Sequence, residues 1–295
     1  MDLSIKDEVK NIYHQLEKAG YEVYLVGGCV RNLLMSIPVT DWDMTTNATP
    51  EQIQEVFPDS FCDNDFGTVG VKYPTKKDNQ KDYAEITTFR TESSYSDHRH
   101  PGEVSWGKTL EEDVTRRDFT VNALAIKLLA NDKVEIIDKV NGQEDLKKKL
   151  IRAVGNADER FKEDALRLMR AVRFCAQLNF EIEEKTLLAI RNDCHLIEHI
   201  SHERIRDEII KILSTDHAYD GIVLLDEIGI LDIIFPELLR GKGISQARPG
   251  RHHTTDVFTH NLLSLKECHS TNPLVRFSAL LHDVGKPYVA ATDSD

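Results

Sequence analysis

The feature that most constrains this chain is a change of hydrophobic period after Asn141-Gly142. Before it, short β-branched and aromatic runs alternate with amphipathic segments; after it, every apolar pattern repeats at helical spacing. Residues 5–19 carry Ile5, Val9, Ile12 and Leu16 on one helical face, with Gly20 as a stop. YEVYLV (21–26) reads as a strand, Gly27-Gly28 as a turn and CVRNLLMS as a short helix, with 39–44 extended again. Thr49-Pro50-Glu51-Gln52 carries a helix start: a Thr cap, Pro at the first position and Gln three residues after the cap. GTVGVKY (67–73), YAEITTF (83–89) and VEIID (134–138) read as strands, 91–108 as a mobile loop and about 117–129 as a helix. Beyond Gly142 the spacing predicts helices over 143–149, 156–178, 183–194, 201–214, 216–228 and 256–268, with no strand. GKGISQARPG (241–250) is a turn-rich linker. The expected organisation is an α/β head over 1–142, an all-helical region over 143–240 and a further helical segment over 241–295.

Composition narrows the function classes. The chain has 295 residues, 40% hydrophobic and 29% charged, which excludes a disordered chain and is long enough for two or three cores. No apolar run approaches the ~18 residues of a membrane span, and the start, MDLSIKDEVK, lacks the apolar stretch of a secretory signal. Five scattered cysteines without a C-x-x-C pair point to reduced thiols in a cytoplasmic protein. The formal charge of −13 argues against a broadly basic nucleic-acid coat. Residues 147–173, however, hold nine Lys/Arg against four Asp/Glu, and a polyanion responds to the local field within a Debye length of ~8–10 Å.

Two weak signals in the head reinforce each other by order. Asp41-Trp42-Asp43 places two carboxylates two residues apart, which in an extended segment puts them on one face. Such like charges repel unless a cation neutralises them, so the pair is a natural Mg²⁺ site, and Glu85 on a second strand can supply a third oxygen donor. Two metals held this way activate an attacking hydroxyl and stabilise a departing phosphate. Ahead of this pair, Gly27-Gly28 sits between a strand and a helix, where bare backbone N–H groups can approach a phosphate, and Arg31 lies one turn further on. D-x-D pairs and Gly-Gly turns are each common without function. Strand, Gly-Gly, Arg and D-x-D in sequence place a phosphate cradle beside a metal pair.

Residues 160–174, RFKEDALRLMRAVRF, read as a packed helix through Leu166, Met169 and the following Ala176. Its polar face carries Glu163, Asp164, Arg167, Arg170 and Arg173. Steps of three residues drift by about 60°, so Asp164 and Arg167 can act together while Arg173 points well away. The plain alternative is a surface ion pair worth ~0–1 kcal/mol. The sharper one follows from donor and acceptor inventory. Cytosine and adenine each place an amino donor beside a ring-nitrogen acceptor, which a carboxylate and a guanidinium match. Uracil and guanine put an oxygen where the amino group should be. One Asp and one Arg thus accept C and A without a template.

LVGGCVRNLL, DWDMTTNATPEQI, AEITTFRTE, EEDVTRRDFTVNALA and GNADERFKEDALRLMRAVRF, in this order, resemble the bacterial class II tRNA nucleotidyltransferase (CCA-adding enzyme) and poly(A) polymerase family. The resemblance implies a polymerase-β-like nucleotidyltransferase head followed by an all-α neck and body, two Mg²⁺ ions, and the tRNA 3′ end, CTP and ATP as partners. It places Asp41 and Asp43 on the metal-binding aspartates, Glu85 on the third acidic position, and Gly28 and Arg31 on the phosphate-binding turn. Arg117 falls on a nucleotide contact, Asp164 and Arg167 on the base-selecting pair, and Arg170 and Arg173 on further nucleotide contacts. One departure is visible: the family usually has Asp where this chain has Asn32, which keeps an acceptor oxygen and loses the charge. FRTESSYSDHRHPGEVSW, with Tyr95, Asp97, Arg99 and His100, retains a full-looking loop, which favours addition of all three nucleotides over poly(A), CC-only or A-only synthesis.

HHTTDVFTH (252–260) and LLHDVG (280–285) resemble an HD-type metal phosphohydrolase domain. His260, His282 and Asp283 match three of its four metal ligands and suit Mn²⁺, Ni²⁺ or Fe²⁺. The fourth, an Asp, normally lies well downstream, and 12 residues follow Asp283, so an incomplete helical module stands as the alternative. The expected activity is transfer of CMP, CMP and AMP to the tRNA 3′ end with release of pyrophosphate. A phosphohydrolase and an RNA-binding scaffold with an inactive head are the competing readings, and the presence of both Asp41 and Asp43 argues against the scaffold.

Overall fold

The structure, a computed structural model, describes residues 3–62, 67–74, 83–95, 101–107, 109–131, 133–245 and 255–289. Two compact units divide after Asn156.

The first unit opens with α1 (Asp7–Lys18), whose Val9, Ile12, Tyr13 and Leu16 are buried at the expected spacing, and Gly20 takes a positive φ just past its end. Strand β1 (Val23–Val26), α2 (Gly28–Leu34) and β2 (Trp42–Thr46) follow. α3 (Pro50–Val56) begins with a complete capping box between Thr49 and Gln52. Strands β3 (Phe61–Cys62), β4 (Thr68–Lys72) and β5 (Tyr83–Thr88) come next, then β6 (Arg90–Tyr95), β7 (Pro101–Trp106) and α4 (Leu110–Thr115). β8 (Leu124–Leu128), β9 (Val134–Asp138), α5 (Gly142–Lys148) and the two-residue β10 (Leu150–Ile151) complete the unit. Seven strands form one sheet in the order β3-β4-β5-β2-β1-β8-β9, in which β2 and β5 are parallel and the other pairs antiparallel. One face carries Leu25, Trp42, Met44, Ala84 and Ile86 into a core shared with Val9, Leu16, Val30 and Ile53; Tyr24, Val26 and Ala125 join a second core with Phe89 and Val114.

Three expectations for this unit need correction. The helix expected over about 117–129 is a single 3-10 turn (Thr120–Asn122) followed by strand β8. β8 lies between β1 and β9 and is buried on both faces, which erases the alternation that marks a strand. The segment expected as a mobile loop holds β6 and β7, an antiparallel ribbon pairing Arg90 with Trp106 and Tyr95 with Pro101. Backbone ladder bonds do not depend on side-chain polarity, so a polar ribbon leaves little trace in hydropathy. Asp97, Arg99 and His100, and the side chain of Tyr95, lie outside the described residues.

The division between units also falls later than Gly142, and the cause is packing. A Cβ on Gly142 would lie 2.2 Å from the Thr120 carbonyl oxygen, so the turn sits directly on the 3-10 segment. Thr120 donates to Asp145 at 2.7 Å, and Arg152 donates to the same buried carboxylate. These contacts keep 143–156 with the head.

The second unit contains α6 (Ala157–Glu163), α7 (Leu166–Leu178), the two-residue β11 (Glu181–Ile182), α8 (Glu184–Asp193), α9 (His202–Leu213), α10 (Ala218–Glu227), α11 (Ile230–Ile234) and α12 (Pro236–Leu239). α13 (Val257–Lys266), α14 (Pro273–Leu281) and α15 (Lys286–Val289) follow. α7 packs against α9 and α10, and α13 against α10 and α14. The single helix expected over 156–178 is broken at Asp164-Ala165, and short strands interrupt what was expected to be purely helical.

Candidate active site

The head site is built where β1 ends and α2 begins. Gly27 takes φ +75° and ψ −140°, a conformation that essentially only glycine adopts. A Cβ there would meet Nη1 of Arg117 at 2.9 Å and Oδ2 of Asp43 at 3.5 Å. The missing side chain therefore marks where an arginine, a carboxylate and bare backbone converge. Gly28, the residue expected in this role, has no positive φ, and its Cβ would make an ordinary 3.6 Å contact with Arg31. A Gly-Gly pair in the sequence does not say which member bears the strained conformation.

Asp43 and Glu85 are register partners on the parallel strands β2 and β5, so both leave the same face of the sheet. Their neighbours Trp42, Met44, Ala84 and Ile86 point into the core. Asp41 precedes β2 and is exposed. Together Asp41, Asp43 and Glu85 supply three carboxylates along the neighbouring strands β2 and β5. As an all-oxygen donor set on one sheet face they fit Mg²⁺.

Around them, several side chains are held firmly. Cys29 is buried with its thiol directed at the Val26 and Asp43 carbonyls; burial and the neighbouring Asp43 push it up to about 12. Arg31 is 4% exposed, donates Nη1 to Asn122 at 2.7 Å, and donates Nε and Nη2 to Asn32 at 3.1 and 2.9 Å. The Asn at the position of departure is therefore, with Asn122, an acceptor that fixes Arg31. Arg117 donates Nη2 to the fully buried Asp113 at 3.0 Å, and Arg116 donates Nε and Nη2 to the other oxygen. Burial alone would raise the Asp113 carboxyl, but the two guanidinium groups and their hydrogen bonds outweigh it and hold it below the ordinary value. Asp113 was not singled out in the sequence; EED reads as a charged helix start, and nothing local marks its last member as interior.

In the second unit Asp164 and Arg167, the expected base-reading pair, flank the start of α7. Asp164 lies in the break between α6 and α7, where one oxygen accepts from the Leu166 N–H at 3.1 Å and the other from Arg204 of α9 at 3.1 Å. Arg167 donates to Glu163 at 2.6 Å and to the Arg160 carbonyl at 3.1 Å. Arg173 is drawn into a buried pair with Glu208 of α9 at 3.0 Å, and Arg170 lies 5.4 Å from the Phe174 ring centre. Further along the unit, the ligand atoms of His260, His282 and Asp283 all fall within 4.8 Å of one another. His282 Nδ1 is 2.8 Å from the Ala279 carbonyl, which accepts its proton and turns Nε2 toward His260 at 3.1 Å and Asp283 at 3.3 Å.

Residues 23–152 match the model of the poly A polymerase head domain, and 179–241 that of the probable RNA and SrmB-binding site of polymerase A. A CCA-adding enzyme of Lactobacillus delbrueckii subsp. bulgaricus is 50% identical over 202 residues, 68% of this chain and 48% of that protein. A CCA-adding enzyme of Streptococcus mutans is 45% identical over 217 residues, 73% of this chain and 51% of the relative. The crystal structure of Bacillus stearothermophilus CCA-adding enzyme in complex with CTP superposes with a TM-score of 0.75 at 33% identity, covering 97% of this chain and 66% of that one. The chain spans about half the length of the curated relatives it matches. Both matched domains end by residue 241, before the His260 cluster. No helix among the described residues is long and apolar enough to cross a membrane. The order of the motifs, the head sheet and these similarities together establish that the chain belongs to the tRNA nucleotidyltransferase (CCA-adding enzyme) and poly(A) polymerase family.

Proposed function

We propose that this chain transfers CMP, CMP and AMP from CTP and ATP to the tRNA 3′ end in the cytoplasm, without a template and with release of pyrophosphate. The observation that carries the reading is the convergence at Gly27, where Arg117 and Asp43 face one point and Asp43 is paired in register with Glu85. Asp41, Asp43 and Glu85 would hold two Mg²⁺ ions, which supply charge neutralisation for an attacking hydroxyl and a leaving phosphate. The Gly27-Gly28 turn admits the triphosphate against backbone, Arg117 offers it a charged edge, and Arg31 holds the start of α2 through Asn32 and Asn122.

Base choice would rest on Asp164 and Arg167. A carboxylate has about four acceptor sites, so Asp164 can accept from a cytosine or adenine amino group while keeping Leu166 and Arg204. Arg204 holds the carboxylate in place, and a carboxylate, which only accepts, repels the uracil and guanine oxygens. Arg170 and Arg173 would act less directly, since Arg173 already serves as a tie between α7 and α9.

The test is extension of tRNA lacking its last three nucleotides, with CTP, ATP and Mg²⁺, read at single-nucleotide resolution. Addition of C, C and A followed by arrest is expected. Long A tracts would assign a poly(A) polymerase, arrest after CC a partial enzyme, and no extension by folded protein would overturn the reading.

A second reading is favoured by one observation, the convergence of His260, His282 and Asp283. Their donor set suits Mn²⁺, Ni²⁺ or Fe²⁺ and would make this segment a metal phosphohydrolase. Calorimetric titration with Ni²⁺ of a variant carrying Asp43→Asn should show a binding event that adding His282→Ala removes; a titration in which His282→Ala changes nothing refutes it.

A further inference from the structure

We infer that Asp113 is a positioning residue that aims the Arg117 guanidinium across the Gly27 turn, an inference that rests on the nucleotidyl-transfer reading above. Asp113 belongs to α4, which begins at a capped Thr109 and has an acidic first turn. Glu111 stands outward, whereas Asp113 is 0% exposed, an unusual placement for a carboxylate unless it is paired. The pairing is a fork. One oxygen takes two N–H groups of Arg116 at 3.2 and 2.9 Å, and the other takes Nη2 of Arg117 at 3.0 Å.

The consequence lies at the opposite edge of Arg117. With Nη2 anchored, Nη1 is directed to within 2.9 Å of the point where a Gly27 side chain would begin, and Asp43 Oδ2 lies 3.5 Å from the same point. A guanidinium is planar, so fixing one nitrogen on a rigid acceptor sets the direction of the other. Asp43, which the transfer reading assigns to metal, offers a second carboxylate at the same turn. Asp113 thus provides a permanent anionic partner on the side away from the site. It leaves the Nη1 edge of Arg117 presented to an incoming triphosphate. Charge alone does not achieve this: a lysine ammonium at residue 117 would have no second edge to present while bound to Asp113.

The experiment compares Asp113→Asn with wild type by equilibrium CTP binding in the absence of tRNA, and by KM and kcat for CTP in the extension assay. Loss of the anchor should raise both the CTP dissociation constant and KM by about ten-fold, with a smaller change in kcat for the folded fraction. A role confined to folding would instead reduce active protein, lowering apparent kcat while leaving KM and the dissociation constant in place, and that result overturns the inference. Should Asp113→Asn fail to fold, Arg117→Lys keeps the charge and removes the fork; the same ten-fold rise is expected, and wild-type CTP affinity in that variant overturns the inference. Wild-type protein that binds no CTP refutes the nucleotidyl-transfer reading and this one with it. Wild-type binding with an indifferent Asp113→Asn refutes only the positioning role.

Discussion

Replacing Gly27 by alanine separates backbone strain from site chemistry at one position. The residue sits at φ +75° and ψ −140°, a region sparsely open to L-residues, so alanine costs about 1–3 kcal/mol of stability in the head. A unit of about 150 residues loses roughly 2–4 °C of melting temperature per kcal/mol, giving a fall of about 2–12 °C. The new methyl would also stand 2.9 Å from Arg117 Nη1, well inside a contact distance of about 3.5 Å. Either the guanidinium withdraws by roughly half an ångström or more, or the turn opens. Displacements of about 1 Å in a catalytic constellation cost on the order of 10²-fold, so kcat/KM for CTP should fall by about that factor even well below the melting transition. Gly28→Ala is the control for the backbone term. It lies within α2 without a positive φ, where alanine is favoured over glycine by about 1 kcal/mol, so its melting temperature should hold or rise. Differential scanning calorimetry and initial-rate extension assays give the two readouts. Gly27→Ala with wild-type melting and wild-type kcat/KM would refute both the strain and the convergence drawn from this turn.

Asp43→Asn should abolish nucleotide transfer while leaving the circular dichroism spectrum and melting transition unchanged, because the side chain faces the site and its neighbours Trp42 and Met44 hold the strand; residual transfer close to wild type would remove Asp43 from the chemistry. Arg173→Ala should destabilise the helical unit by about 1–3 kcal/mol in urea unfolding, since it leaves the buried Glu208 to Lys211 alone, and a Glu208→Gln background should shrink that loss. On acidification the Asp113 contribution has a defined sign: its folded-state value lies below the unfolded one, so its stabilisation is complete above about pH 4 and is lost as pH falls through the folded value; Asp113→Asn should flatten that part of the stability profile. In native protein a thiol reagent at pH 8 should label exposed Cys62 and leave Cys29 and Cys175, both pushed up to about 12 chiefly by burial, untouched until unfolding; rapid labelling of Cys29 would contradict its enclosure beneath the turn.

What could be read in the chain follows from the range of the interaction responsible. The Thr49–Gln52 capping box and the buried face of α1 are set by residues three or four apart, and both form as expected. Asp43 and Glu85 share a face because alternation along each strand is local, although their pairing in register needed the parallel β2–β5 neighbourhood that sequence does not display. β8 was unreadable because its identity comes from neighbours on both sides, which bury Ala125 and Ile126 alike and leave an apolar run that suits a helix equally well.

The charged residues show the same division more sharply. Glu163 and Asp164 adjoin each other in the chain, yet spacing could not say which of them takes Arg167. The break at Asp164-Ala165 turns Asp164 to the Leu166 N–H and to Arg204, forty residues on, while Arg167 reaches back to Glu163. Arg173 likewise takes a partner thirty-five residues away. A helical polar face specifies which side chains are available, and the packing of other helices decides what each one holds. Removing Arg204 tests that division directly. Arg204→Ala leaves the Leu166 bond and the helix break in place but frees one edge of Asp164, so incorporation of UMP and GMP should rise relative to CMP and AMP. With ~1–3 kcal/mol resting on a well-formed base contact, the loss of discrimination should be about ten-fold or more. Unchanged discrimination, with Asp164→Ala still relaxing it, would show that the carboxylate keeps its aim without α9.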